Sequence, residues 1–184
     1  MGKMLNFLVR GTISLVEATR KLQVLQVRLT ANEVKDGVEH FEPYGFTSHP
    51  LPGAEVALGF VGGDRSHCLA LVVTDRRHRP QGLDAGEVCL FTDEGDEIRF
   101  KRGRVISVTA GSKVEVTAPE AVFNCSTSVT LNTPKVIASG DIEAAGQIRD
   151  ATGTMQSMRD TYNNHNHPEN DSGGPTDSPN QPMI

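Results

Sequence analysis

The chain has 184 residues, of which 37% are hydrophobic and only 5% aromatic, with no tryptophan. By length it suits one large domain or two small ones, and the shortage of large apolar side chains favours two, in a narrow or self-associating architecture, over one thick core. A formal charge of −5 and a pI near 5.7 weigh against the broad attraction to phosphates on which nucleic-acid binding depends, so nucleic acid is not an expected partner.

Along the chain, Met4, Leu5, Leu8 and Val9 have helical spacing, which predicts a short opening helix ending near Gly11 and packing on the barrel or a neighbouring subunit. Residues 1–20 are thus a helix and a lead-in strand. Met1 to Arg10 is broken by Lys3, Asn6 and Arg10 and lacks the longer apolar run of a signal peptide. No run approaches the roughly 20 apolar residues of a membrane-spanning helix, so any membrane is expected to be met from outside.

Strand-like runs follow at Gly11 to Val16, Lys21 to Thr30, Ala54 to Val61, His67 to Asp75, Glu87 to Phe91 and Glu97 to Lys101. In the second, Leu25, Val27 and Leu29 share one face and Leu22, Val24, Gln26 and Arg28 the other. Turn chemistry separates the runs at Asp36-Gly37, Pro43-Tyr44-Gly45, Pro50-Leu51-Pro52-Gly53, Gly62-Gly63-Asp64 and Glu94-Gly95-Asp96. Residues 21–104 are therefore expected to form a small closed barrel of the OB type, in preference to a compact sandwich. Such barrels often bind oligonucleotides or sugars. The basic cluster Arg76, Arg77, His78 and Arg79 is the one feature that supports such a ligand, and a solvated loop or subunit contact is the simpler reading. Cys68, Cys89 and Cys125 are odd in number, far apart and without CxxC spacing, which points to free thiols and folding in a reducing cytosol.

From Val105 the texture changes. The stretch VISVTAGSKVEVTAPEAVFNCSTSVTLNTPKVIASGDIEAAGQI is rich in Val, Ile, Thr, Ser and Ala, and apolar pairs recur at Val114/Val116, Val122/Phe123, Val129/Leu131, Val136/Ile137 and Ile142/Ala144. Each rung is too thin to bury anything alone, so stability must come from stacking rungs and wrapping them around copies from other chains. Residues 105–150 are expected to form the intertwined triple-stranded β-helix of a homotrimer, whose closure also removes exposed sheet edges. A second sandwich is the alternative, disfavoured by the scarcity of Leu and aromatics.

Residues 151–184 are read as an apex. Met155, Met158 and Tyr162 have the spacing of a short helix with the methionines packed in a core. Beyond it lies Asn163-Asn164-His165-Asn166-His167-Pro168 and then a tail of Asn, Asp, Gly, Ser and Pro that composition alone would class as disordered. In an extended segment His165 and His167 face the same way. Three chains meeting on an axis would bring six neutral imidazoles, enough to saturate an octahedral transition metal such as iron, with nickel, cobalt and zinc as alternatives. A saturated ion has no open position for substrate, so the metal is a structural clasp that orders a segment lacking an apolar core. Pro168, Pro175, Pro179 and Pro182 with Gly173-Gly174 would fold back around the point. Asp171 and Asp177 are candidate calcium ligands, although surface carboxylates are the better reading.

These residues together resemble the baseplate central spike proteins of contractile-tailed phages, of the phage Mu type of baseplate assembly protein V. In the first domain the resemblance rests on KLQVLQVRLT, on EVKDGVEHFEPYGFTSHPLPGAEVALGFVGGDRSH, and on VVTDRRHRP and GEVCLFTDEGDEIRF; at the end it rests on MRDTYNNHNHPENDSGGPTDSPNQ. It implies an all-β fold in which an OB-like domain docks on the tail, a triple-stranded β-helix forms the shaft, and His165 and His167 of three chains hold one iron ion at the apex, with further ions possible near the tip. It also implies a virion protein made in the host cytoplasm, whose partners are tail tube and baseplate hub proteins and the host outer membrane, which the tip pierces when the sheath contracts. No nucleophile elbow, carboxylate pair or Ser/His/Asp set is evident, so no enzyme is expected. The competing function is an OB-type carbohydrate or nucleic-acid binding module with a flexible tail.

Overall fold

The computed structural model describes residues 7–30, 33–168 and 173–183. The chain divides into two compact units, Met1–Pro119 and Glu120–Ile184.

In the first unit, β1 (Leu8–Glu17), β2 (Val24–Thr30), β3 (Glu33–His40), β4 (Glu55–Phe60) and β5 (Cys68–Thr74) close into a barrel in the order β1-β2-β3-β5-β4. All its ladders are antiparallel except the short parallel pairing of β3 with β5 at Glu39↔Leu69 and His40↔Ala70. The barrel is small, five-stranded and OB-like, as expected. Its interior is filled by Ile13, Leu25, Val27, Val38, Val56, Leu58, Phe60 and Ala70. Along β4 the buried Val56, Leu58 and Phe60 alternate with partly exposed Glu55, Ala57 and Gly59, the period-two pattern of a strand with one wet face.

Three local expectations are corrected. Leu8 and Val9 are not helical: they open β1, where Leu8 lies opposite Gly59 and Val9 opposite Leu58, and Val9 packs against the core. Pairing and burial override a helix-like spacing this short, and Met4 and Leu5 lie outside the described residues. The strand β3 was not among the predicted runs, because Asp36-Gly37 reads as a turn. It is a bulge: Leu25 faces Val38 and Val27 faces Lys35, so Asp36 and Gly37 together oppose Gln26, and Gly37 takes φ +70°. Finally, the runs near residues 88 and 97 do not enter the barrel. β6 (Val88–Phe91), β7 (Glu97–Lys101) and β8 (Val105–Thr109) form a separate antiparallel sheet. The registers put Val88, Leu90, Ile98, Phe100, Ile106 and Val108 on one face, all of them exposed in the single chain, and the half-buried Cys89, Glu97 and Arg99 on the other.

After β8 the backbone makes no strand for some forty residues. It changes direction at Gly111-Ser112, Pro119, Ser126-Thr127, Thr133-Pro134, Ser139-Gly140, Ala145-Gly146 and Ala151-Thr152. Every residue from 108 to 152 is exposed, and among the described residues no backbone-to-backbone hydrogen bond involves residues 112–147.

The second unit contains α1 (Met155–Asn164), the helix predicted from Met155, Met158 and Tyr162. Thr154 caps it: its hydroxyl accepts from Ser157 N–H at 3.0 Å, and the Ser157 hydroxyl accepts from Thr154 N–H at 3.0 Å. The preceding turn is held by Asp150, whose carboxylate accepts from the Thr152 hydroxyl and from the N–H groups of Gly153 and Thr152 at 2.7–2.8 Å, bonds that hold its pKa below the ordinary value. None of the helix is buried within the single chain, so its methionines have no core there. Among the described residues no helix is long and apolar enough to cross a membrane.

Candidate metal centre

The helix stops at His165, whose backbone is extended at φ −73° and ψ 148°. The His165 and His167 rings stand 5.2 Å apart between centroids and nearly perpendicular, and the Tyr162 ring lies 5.4 Å from that of His165.

The protonation of His165 follows from its neighbour. Its Nδ1 lies 2.6 Å from the Tyr162 carbonyl oxygen. A carbonyl can only accept, so Nδ1 carries a proton, and in the neutral ring Nε2 is then the nitrogen with the lone pair. A metal-ligating histidine commonly has this arrangement, with one ring nitrogen tied to a carbonyl and the other free to bind.

His167 is positioned through its backbone. Its N–H donates to the Thr176 hydroxyl at 2.9 Å, and Thr176 N–H donates to the His167 carbonyl at 2.9 Å. A second clamp joins Asn163 to Met183: the Asn163 amide donates to the Met183 carbonyl at 3.0 Å and accepts from Met183 N–H at 2.7 Å. The polar tail thus returns to the helix end, the fold-back expected from its prolines. Thr176, Asn163 and Met183 were not singled out in the sequence. Contacts nine and twenty residues apart in an irregular segment follow no periodicity that could reveal them.

The donors fit a transition metal in kind but not in number within one chain. Among the described residues there is no group of three or more His, Cys, Asp or Glu side chains able to hold an ion. Asp177 does not complete such a group with the two histidines, and Asp171 lies outside the described residues.

The basic cluster is largely neutralised. Arg76 donates to Glu55 at 2.7 Å; Arg77 donates to Asp75 at 2.5 Å and to the Pro52 carbonyl at 3.1 Å. Gly53, at φ +94°, leaves room for that guanidinium, since a Cβ there would come within 2.8 Å of it. Two of the three arginines are thus committed to carboxylates and are poorly disposed to bind phosphate, in line with the simpler reading of the cluster.

The hydrogen bonds from Arg77 hold the Asp75 pKa down to about 2. Because this lies below the unfolded value of 3.8, the pair stabilises the barrel fully above about pH 4, and the contribution disappears as pH falls through about 2. Asp75→Asn is expected to cost about 1 kcal/mol at pH 7, once screening of the half-exposed guanidinium is allowed for. Urea titrations at pH 7 and pH 2 check this, with variant and parent converging at the lower pH; an equal gap at both would refute the pairing.

The family model described as Bacteriophage Mu Gp45, N-terminal, matches residues 10–77, which span most of the barrel. The baseplate puncturing device gp45 of Escherichia phage Mu is 41% identical over 137 residues, 74% of this chain and 65% of that protein. The Mu-like prophage FluMu protein gp45 of Haemophilus influenzae is 36% identical over 162 residues, 87% of this chain and 85% of that protein. The spike protein of Escherichia phage P2 is 32% identical over 105 residues, 51% of this chain and 49% of that protein. The match thus spans a little under two thirds of the phage Mu protein but most of the prophage one. Sustained identity to the prophage protein and the family match on the barrel together place this chain in the phage Mu Gp45 family of baseplate central spike proteins.

Proposed function

We propose that three copies of this chain form the central spike of a contractile phage-tail baseplate, a membrane-piercing point that enters the host outer membrane when the sheath contracts. The relatives named a baseplate puncturing device and a spike protein support this role. The observation that carries it is the bareness of residues 108–152. Val114, Val116, Val122, Phe123, Val129, Leu131, Val136, Ile137 and Ile142 are each more than half exposed, on a backbone that makes no backbone-to-backbone hydrogen bond among the described residues. Neither condition is stable in water for a single copy.

The magnitude is large. The chain exposes 15696 Å² at a mass of 19.9 kDa, whereas a folded monomer of that mass exposes roughly 8,700 Å². The excess of roughly 7,000 Å² is many times the ~800 Å² that each partner contributes to an ordinary interface. It fits an obligate assembly in which the rungs of each chain pair with those of its neighbours. The copy number of three comes from the tip: two imidazoles per chain make six on a three-fold axis, an octahedral set. His165 and His167 of each chain would hold one iron ion, which ties the three ends together as a Lewis acid with every position filled. The chain's own residues orient the ligands, through the Tyr162 carbonyl and the Thr176 clamp.

The role is mechanical, and no catalysis is invoked. A shaft whose backbone groups all pair between copies has no hinge, so it transmits axial force to a narrow end. The barrel would dock on tail tube and baseplate hub proteins, and the protein would be made in the host cytoplasm and reside at the tail tip of the virion. The test is native mass with elemental analysis. Three times 19.9 kDa, about 60 kDa, is expected, with one iron ion per three chains. A metal-free monomer would sink the proposal and favour the OB-type binding module.

A further inference from the structure

The helix α1 is ten residues long, and none of it is buried within its own chain. A helix of that length is marginal in water, because fixing the first turn costs more backbone entropy than its few hydrogen bonds return. The capping box at Thr154 and Ser157 closes its start but supplies no packing. What it lacks is a cover for its apolar face.

That face is defined by spacing. Met155, Met158 and Tyr162 are the only apolar residues of the helix and are 39–55% exposed. They lie at steps of three and four, and a further step of three reaches His165, the residue that ends the helix. Positions 155, 158, 162 and 165 therefore fall at a, d, a and d of a heptad, a single stripe along one side. The stripe is continuous in space, since the Tyr162 and His165 rings are 5.4 Å apart. The opposite face is polar: Gln156 donates to Asp160 at 2.9 Å there. Ile148, whose carbonyl accepts from Met155 N–H at 3.0 Å, prolongs the apolar strip, and an open cleft is lined by Ile148, Met155, Met158 and Tyr162.

The place of His165 on this stripe selects the occupant. Imidazoles that converge from several copies bring with them the side of the helix on which they stand, and that side is the apolar one. The tail does not compete for it, because its clamp at Asn163 stands about 120° around the helix from the stripe. No member of the stripe is charged, and Arg159 falls at e, a flanking position that commonly carries charge in a coiled coil. We propose that the α1 helices of three copies pack in parallel around the axis as a short collar, with Met155, Met158 and Tyr162 inward, and that this collar aims His165 at the metal. This rests on the three-copy reading above.

The test uses the full chain with Met158→Cys and, separately, with Gln156→Cys on the opposite face. Each is treated with a mild thiol oxidant and resolved on a denaturing gel without reductant. Met158→Cys should give linked pairs of chains, at twice 19.9 kDa, about tenfold more than Gln156→Cys or the parent, whose own three cysteines set the background. In a third variant, Met155→Gln with Met158→Gln, amide exchange of α1 should rise about tenfold or more while the native mass stays that of three chains. Linked pairs at background in Met158→Cys, or equal in both cysteine variants, would overturn the collar while leaving a three-chain parent intact. Unchanged exchange in the glutamine variant would overturn it as well. A parent that is itself a single chain would remove the three-copy reading and this proposal with it.

Discussion

Replacing His165 and His167 together by alanine is expected to empty the tip of metal while leaving the three chains associated. In the proposed assembly the shaft and the tip would draw on different sources of stability: the rungs on apolar burial and interchain backbone pairing, the polar tail on ligation. Metal binding in small sites is worth on the order of 10 kcal/mol, far more than the Thr176 and Asn163 clamps can supply at about 1 kcal/mol per hydrogen bond. Iron measured by elemental analysis should fall from one per three chains to background. Amide exchange of residues 173–183 should rise by tenfold or more, with native mass unchanged. Asn166→Ala, at an exposed position between the ligands, is the matched control and should keep the ion. Iron retained by the double alanine variant would dispose of the site.

Val129→Asp combined with Leu131→Asp is expected to dissolve the assembly, taking the native mass from about 60 kDa to 19.9 kDa. Two residues apart on an extended rung, these side chains share a face. Losing the burial of each costs about 1.5–3 kcal/mol, so over three copies the loss is about 10 kcal/mol or more, before the cost of gathering six carboxylates around one axis is added. Ser128→Asp with Thr130→Asp places the same charge on the opposite face of the rung and should leave the mass unchanged. An assembly that tolerates the first pair as well as the second would show that residues 108–152 are covered by something other than copies of themselves.

These two variants separate the parts of the proposed mechanism. A spike without its metal keeps a stiff shaft and loses a closed point; a chain with charged rungs keeps its barrel and has no shaft. The barrel is independent of both because its core, from Ile13 to Ala70, is complete within one chain.

Much of this was legible in the residues. Alternation in Leu25, Val27 and Leu29 identified β2. Met155, Met158 and Tyr162 located α1, and the His165/His167 spacing located the paired rings. What was misread has particular causes. Asp36-Gly37 has the composition of a turn, and only the register of β3 against β2 shows it to be a bulge in a continuous strand. Leu8 and Val9 satisfy a helical spacing, but their partners Gly59 and Leu58 lie some fifty residues away. The segments near residues 88 and 97 look like barrel strands because strand propensity does not say which sheet a strand joins.

The sequence by itself determined the all-β class, the change of texture at Val105 and the neighbouring imidazoles of His165 and His167, since each is written in local composition or in spacings of two to seven residues. Only the tertiary structure decided that five strands from Leu8 to Thr74 close the barrel, that three more form a sheet of their own, and that Tyr162 and Thr176 orient the histidines. Strand partners and tail clamps are contacts between distant residues, and no local pattern encodes which distant residue a backbone group will meet.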